Sequence, residues 1–179
     1  MPEIIDYGSW LGDIKKASSL FDCGDSHVND YFKKRSGNDS SRRLLLYVSE
    51  NQILGFVTVS LANLKMSIQN HNEIETDAVL YINGLGVDRK HHREKIGSHL
   101  LQVAFSISLS IDMMAPIKGV YLVALREAMD FCDEFEFTYL SRDPMSDFNS
   151  KEFPMFLSIE TIKDLGILPY LNAYELNDE

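Results

Sequence analysis

The chain has 179 residues, 45% of them hydrophobic, which is enough for one sizeable core but short for two. We therefore expect a single domain over residues 1–179. Its 17 basic and 27 acidic side chains give a net charge of -10, which repels phosphate backbones and argues against nucleic acid as a partner. No apolar run reaches the ~18 residues that cross a bilayer, and the acidic start differs from a secretory signal. We expect a cytoplasmic protein with no membrane partner.

The cysteines and histidines give no metal-binding pattern. Cys23 and Cys132 lie far apart in sequence and match neither a disulfide framework nor a metal-ligand spacing, so we expect reduced thiols and a buried Cys132. The five histidines form neither an HxxxH nor an HExxH motif. We expect no metal site.

Two helices are predicted near the amino terminus. A first helix is indicated by the helical spacing of Trp10, Leu11 and Ile14. A second should span about 26–35, with an apolar face formed by Val28, Tyr31 and Phe32. Either Asp25 or Ser26 can cap it, because a short side-chain oxygen accepts from the free amides of the first turn.

The next segments favour strands. The polar stretch 36–41 is typical of a loop, and the apolar runs 44–48 and 53–59, separated by a polar turn, predict a hairpin. A third run, 78–87, is apolar almost throughout and predicts a strand covered on both faces. Its two glycines, Gly84 and Gly86, indicate a bulge or the close approach of another backbone or a ligand.

The second half alternates helix and strand. From Glu94 onward the apolar residues follow a helical period as far as Ile111. The run 120–125 predicts a strand, a short helix should follow from about Glu127, and 137–140 and 153–159 look like closing strands. The order of these elements predicts an α/β domain.

The junction between the third strand and the long helix has the chemistry of an anion site. Arg89, Lys90, Arg93 and Lys95, offset by Glu94, reverse the sign of an otherwise acidic chain. The first amides of a helix lack internal partners and lie at the positive end of its dipole. Neither a Walker loop nor a dinucleotide fingerprint is present. A phosphate-bearing ligand is predicted here, against the alternative of a solvated charged loop.

This junction resembles the GNAT acetyltransferases, in which an LxV strand leads to an R/Q-x-x-G-x-G/A motif at a helix start. The matching residues are Leu85-Gly86-Val87, then His92 to Ser98. Two positions depart from the motif: His92 stands where glutamine or arginine is usual, and Lys95 replaces the first glycine. The resemblance implies a GNAT-like α/β fold, with a mixed, mostly antiparallel twisted sheet of about six to seven strands flanked by helices.

The resemblance also implies how acetyl-CoA is bound. Backbone groups of Leu85 and Val87, on either side of Gly86, would pair with the pantetheine arm. The diphosphate would lie against the motif, whose residues are His92, Arg93, Glu94, Lys95, Ile96, Gly97 and Ser98.

A downstream segment, 128–137, is similar to the family's A-x-x-F-Y-x-x-x-G-F. Cys132 occupies the position of the tyrosine that often protonates the departing thiolate, and Glu136 that of the glycine. Cys132 is a candidate acid, although a small buried hydrophobe is the favoured interpretation. Tyr139 is a second candidate acid. Glu75, with Asp77, is a candidate base, against the simpler interpretation of a solvated loop.

An early segment, 21–32, is similar to the opening of a GNAT branch that includes tRNA-acetylating toxins. We expect an acetyl-CoA-dependent N-acetyltransferase that acts by direct attack of a small-molecule or protein amine. The alternatives are a catalytically impaired CoA-binding module or sensor and a tRNA-acetylating toxin; the acidic composition argues against the latter. A homodimer is compatible with the sequence.

Overall fold

The structure, a computed structural model, describes residues 3–35, 41–67, 74–140 and 151–171. At positions 35, 65–67, 74 and 75 it describes the backbone alone. The predicted loop 36–41 therefore lies almost entirely outside the described residues.

In the described part of the chain, seven strands form one mixed sheet in the order β1-β2-β3-β4-β5-β7-β6, which confirms the predicted α/β fold. The strands β1 to β7 are Glu3–Asp6, Arg43–Ser49, Gln52–Ser67, Ile74–Val87, Gly119–Leu125, Thr138–Tyr139 and Glu152–Ser158. The helices α1 to α5 are Ile14–Leu20, Ser26–Arg35, Ile96–Met114, Met129–Asp133 and Ile159–Asp164. Three 3-10 turns cover Tyr7–Ser9, Arg89–His91 and Arg126–Ala128.

The chain forms two compact units. The first consists of Met1–Ser60 and Ile82–Ala104, and the second of Leu61–Tyr81 and Phe105–Glu179. The expectation of a single domain stays a prediction.

An aromatic cluster makes the core of the first unit. Phe32 of α2 stacks on Phe56 of β3 with ring centroids 4.3 Å apart, and Phe21 meets both rings edge-on. The hairpin of β2 and β3 is antiparallel, as predicted, and α2 has the predicted bounds. Of the two candidate caps, the Asp25 carboxylate accepts from the amide of Val28. The apolar face of α2 is thus buried on the sheet.

The glycines of β4 make room for this packing. A Cβ on Gly84 would lie 2.7 Å from the Tyr31 ring, and one on Gly86 would lie 2.8 Å from Phe56. The contacts described at these two glycines are thus made by the protein's own side chains, which were not among the predicted alternatives of a bulge, another backbone or a ligand.

The first predicted helix is wrong in its start. Asp13 caps α1 by accepting from the amide of Lys16, so the helix begins after Gly12. Leu11 is fully exposed, while Trp10 packs against the core and covers Gly12. The apolar spacing that suggested a helix reflects an anchor beside an exposed loop residue.

The second unit is built on the antiparallel pair β5 and β7. Its core includes Phe105 of α3, whose ring contacts Phe135 and Phe137. The sequence did not predict α5, whose cap Ser158 accepts from the amide of Thr161. Nor did it predict β1, a four-residue edge strand paired with β2.

Helix α3 is long and apolar enough to cross a membrane by length and composition alone. Half of it is buried within the protein. Core helices of water-soluble proteins have the same properties, so this is weak evidence for a membrane segment.

Glu136, which replaces the family's glycine, has a φ of 64°, in the left-handed region. A side chain there costs roughly 1 to 2 kcal/mol, which glycine avoids. We predict that Glu136→Gly raises the free energy of unfolding by about 1 kcal/mol, measured by urea denaturation. Glu134→Gly is the matched control: it removes the same charge from a right-handed residue with φ -59° and should destabilise. Equal effects of the two changes would contradict strain at Glu136.

Candidate functional site

The site begins where β4 ends. Asp88 is 7% exposed, and its backbone amide donates to the Leu54 carbonyl of β3 over 2.8 Å. Its carboxylate caps the following 3-10 turn by accepting from the amide of Lys90 at 3.0 Å. The chain therefore leaves the sheet in one fixed direction.

Two residues of the next turn have left-handed backbones. Arg93 has a φ of 69° and Lys95 a φ of 60°. Lys95 occupies the position where the GNAT motif has its first glycine, so the chain keeps a glycine-like conformation at this position without the glycine. Each left-handed side chain costs roughly 1 to 2 kcal/mol. Strain of this kind is typical of functional sites held by their surroundings.

The start of α3 completes the candidate anion site. Ile96 is buried and fixes the helix to the core, whereas Gly97 and Ser98 are partly exposed. The first turn contains no acidic residue. The side chains of Arg93 and Lys95 are exposed beside it. Unpaired amides, the helix dipole and two cations therefore favour a bound diphosphate.

The two histidines of the loop contact other loop residues. His91 Nδ1 lies 3.2 Å from the carboxylate of Glu94. His92 Nε2 lies 3.0 Å from the carbonyl oxygen of Val87, to which it can donate. His92 thus joins the motif to the strand end that the resemblance assigns to pantetheine.

The three strand-end positions differ in exposure. Leu85 and Val87 are half-buried, and Gly86 is buried under Phe56 and Val28. Gly86 has no side chain, so it could contact a ligand only through its backbone groups.

The candidate catalytic residues lie in the second unit. Cys132 is 3% exposed in α4, and its burial, with a smaller effect of Asp133, raises the pKa of its thiol to about 11. Both cysteines are free, which confirms the predicted reduced thiols and the burial of Cys132. These properties agree with a packing role.

Tyr139 lies in the short edge strand β6, opposite Met155, and its ring is 5.7 Å from that of Phe153. The side chain of Glu75 is outside the described part of the structure. Asp77 lies 3.8 Å from the ammonium of Lys118, with which it forms an ion pair. Within residues 3–35, 41–67, 74–140 and 151–171, no cluster of three or more His, Cys, Asp or Glu could hold a metal ion.

The sequence profile of the acetyltransferase (GNAT) family matches residues 12–113, more than half of the chain. The chain belongs to the GNAT acetyltransferase family. This match includes the whole junction from β4 to α3. No match is found among curated protein sequences.

Solved structures of toxins share the fold. A bacterial toxin is 24% identical, with a TM-score of 0.73 over 92% of this chain and 96% of that chain. AtaTR bound with AcCoA is 19% identical, with a TM-score of 0.72 over 93% and 97%. AtaT complexed with acetyl-methionyl-tRNAfMet is 17% identical, with a TM-score of 0.74 over 93% and 99%.

The burial of Cys132 predicts a specific pH dependence of stability. Its pKa is about 11 in the folded chain against an ordinary 9.0, so only the unfolded chain loses the proton as pH rises above 9. The stability due to the neutral thiol is complete below pH 9 and is lost between pH 9 and 11. We expect wild type to lose up to about 2 kcal/mol more than Cys132→Ala over this window, measured by urea denaturation. Parallel curves for the two proteins would show that the thiol is not desolvated.

Proposed function

We propose that this GNAT family member transfers an acetyl group from acetyl-CoA to an amine. The observation that carries the proposal is the strained turn at Arg93 and Lys95, which leads into an α3 start free of acidic residues. The similarity in fold to AtaTR bound with AcCoA supports the same ligand.

The end of β4 and the loop that follows it fit two parts of the ligand, its pantetheine arm and its diphosphate. Amides of 93–98 would hold the diphosphate, with the side chains of Arg93 and Lys95 adding charge-assisted contacts. The backbone of Leu85 and Val87 would pair with pantetheine. The Val87 carbonyl that His92 contacts has a second lone pair, so a pantetheine amide can donate to it as well.

In the proposed reaction the acceptor nitrogen bonds to the acetyl carbon and the carbon–sulfur bond breaks. The electron pair leaves on the CoA sulfur, the new amide nitrogen loses a proton to a base, and the thiolate gains one. We favour Tyr139 over Cys132 as the acid, because the raised pKa and burial of Cys132 make it a poor donor.

A second candidate acceptor is aminoacyl-tRNA. The fold similarity to AtaT complexed with acetyl-methionyl-tRNAfMet favours it, whereas the net charge of -10 opposes it. We place cationic amines first, since an acidic surface attracts them. Transfer of radiolabelled acetyl to charged tRNA, but not to polyamines or basic peptides, would reverse this order. If the protein binds CoA but transfers acetyl neither to charged tRNA nor to cationic amines, it is a CoA-binding module and not an enzyme for these acceptors. The cytoplasm is the proposed compartment.

Gly97→Val should abolish acetyl-CoA binding and leave the domain folded. Branched carbons at Gly97 would keep phosphate oxygens from the backbone amides, while valine is no worse a helix former than the glycine it replaces. Gln102→Val, an exposed position of the same helix, is the control for propensity. Calorimetric titration gives the affinity, and circular dichroism checks the fold. If wild type shows no binding at millimolar acetyl-CoA, or Gly97→Val binds like wild type, the site assignment is wrong.

Tyr139→Phe should lower kcat at least tenfold and leave the KM for acetyl-CoA within about twofold, because only the hydroxyl is lost. The same assay of CoA thiol release, run on Cys132→Ala, should show a much smaller loss of kcat. The reverse order of the two variants would assign the acid to Cys132.

A further inference from the structure

We propose that Asp22, Asn29 and Asp88 are positioning residues that set the geometry of residues 89–98, which we call the diphosphate loop. They join the connection between α1 and α2, residues 21–25, to the end of β4. The inference rests on the proposed binding of acetyl-CoA and names the residues on which its affinity depends without contacting it.

The Asp88 carboxylate binds both segments at once. One oxygen accepts from the amide of Lys90 in the loop, and the other accepts from the amide of Asp22 at 3.3 Å. Because Asp88 is buried, these hydrogen bonds replace those that water would make. Its backbone is held as well, through the amide to Leu54 and the carbonyl to the amide of His91.

Asp22 binds back to the loop with its backbone and its side chain. Its carbonyl accepts from the amide of Arg89, and its carboxylate pairs with the Arg89 guanidinium, both at 2.9 Å. The same carboxylate accepts from the amide of Gly24 and from Asn29 Nδ2, also at 2.9 Å. These hydrogen bonds, Asn29 first, lower the pKa of Asp22 and keep it ionised.

Helix α2 and the core hold the connection in place. The Asn29 side chain, which donates to Asp22, also accepts from the amide of Cys23 over 2.9 Å. Phe21 is 3% exposed and packs on Phe32 and Phe56. The ring of Phe21 in the core and the Asn29 side chain of α2 therefore fix the connection, and the connection in turn restrains the loop to which it is hydrogen-bonded.

Two carboxylates beside an anion site would weaken binding if they only added negative charge. Here both carboxylates accept hydrogen bonds from groups of the protein. Asp22 also forms an ion pair that orients the Arg89 side chain. The strained backbones of Arg93 and Lys95 follow on the same loop, and strain of this kind persists only where the surroundings enforce it. The three side chains supply this constraint at the start of the loop.

Asn29→Ala should raise the Kd and KM for acetyl-CoA ~tenfold and keep kcat within about twofold, since the change alters ligand positioning and not the reacting atoms. Asn29→Asp retains an acceptor for Cys23 but places a second carboxylate against Asp22, so its Kd should be higher still. Asp88→Asn should resemble Asn29→Ala. Asp30→Ala, an exposed acid on the same helix, is the control and should match wild type. Melting temperatures verify that each variant is folded.

Hydrogen exchange without ligand tests the network separately from acetyl-CoA binding. In Asn29→Ala the amides of Asp22, Arg89 and Lys90 should exchange faster than in wild type. If they do and the Kd is unchanged, or if they do not, the positioning role is wrong. Absence of binding by wild type would instead refute the proposed function, while the exchange result would still decide whether the network holds the loop. If Asp88→Asn fails to fold, the partly exposed Asn29 decides the outcome.

Discussion

The buried carboxylate of Asp88 is the constraint on which the diphosphate loop depends. It lies where β4 ends, and it accepts from a loop amide on one side and from the connection between α1 and α2 on the other. A buried carboxylate is stable only when its oxygens are satisfied, so both segments must be in place together. The aromatic packing of Phe21 on Phe32 and Phe56 holds the connection between α1 and α2 in the position where it meets Asp88.

Two positions keep a left-handed backbone where the family motifs have glycine. Lys95 and Glu136 both lie at φ values near 60°, with the strain that a side chain brings there. At Lys95 the substitution adds a cation beside the helix start, which suits an anionic ligand. At Glu136 it adds a further acid to an acidic chain, and nothing in the structure explains it. This chain therefore adopts a left-handed backbone at both positions without a glycine at either.

Local periodicity and glycine placement predicted much of this fold. The apolar face of α2, the hairpin of β2 and β3 and the long helix α3 follow from patterns of a few residues, which sequence displays directly. Strand β1 was not predicted because four residues are too few to show an alternating pattern. The first helix was predicted to include Trp10 because a single core-packed residue near Ile14 gives the same apolar spacing as a helix face. The motif predicted the candidate anion site, whereas the hydrogen bond between Asp22 and Asp88 joins residues 66 apart and follows only from tertiary packing. The sequence did contain a signal for the role of Asp88 in the turn, because an aspartate often accepts a hydrogen bond from the amide two residues later, here that of Lys90.

Backbone amide NMR during a CoA titration would show whether residues His92 to Ser98 bind the diphosphate of acetyl-CoA, as we propose. We predict that saturable chemical-shift changes are largest at the amides of 93–98, with smaller changes at the amides of Asp22 and Lys90 through the Asp88 carboxylate. Desulfo-CoA should give the same pattern, because the diphosphate and not the sulfur is recognised there. No chemical-shift change at millimolar CoA, or changes confined to residues 129–139, would contradict binding of the diphosphate at His92 to Ser98.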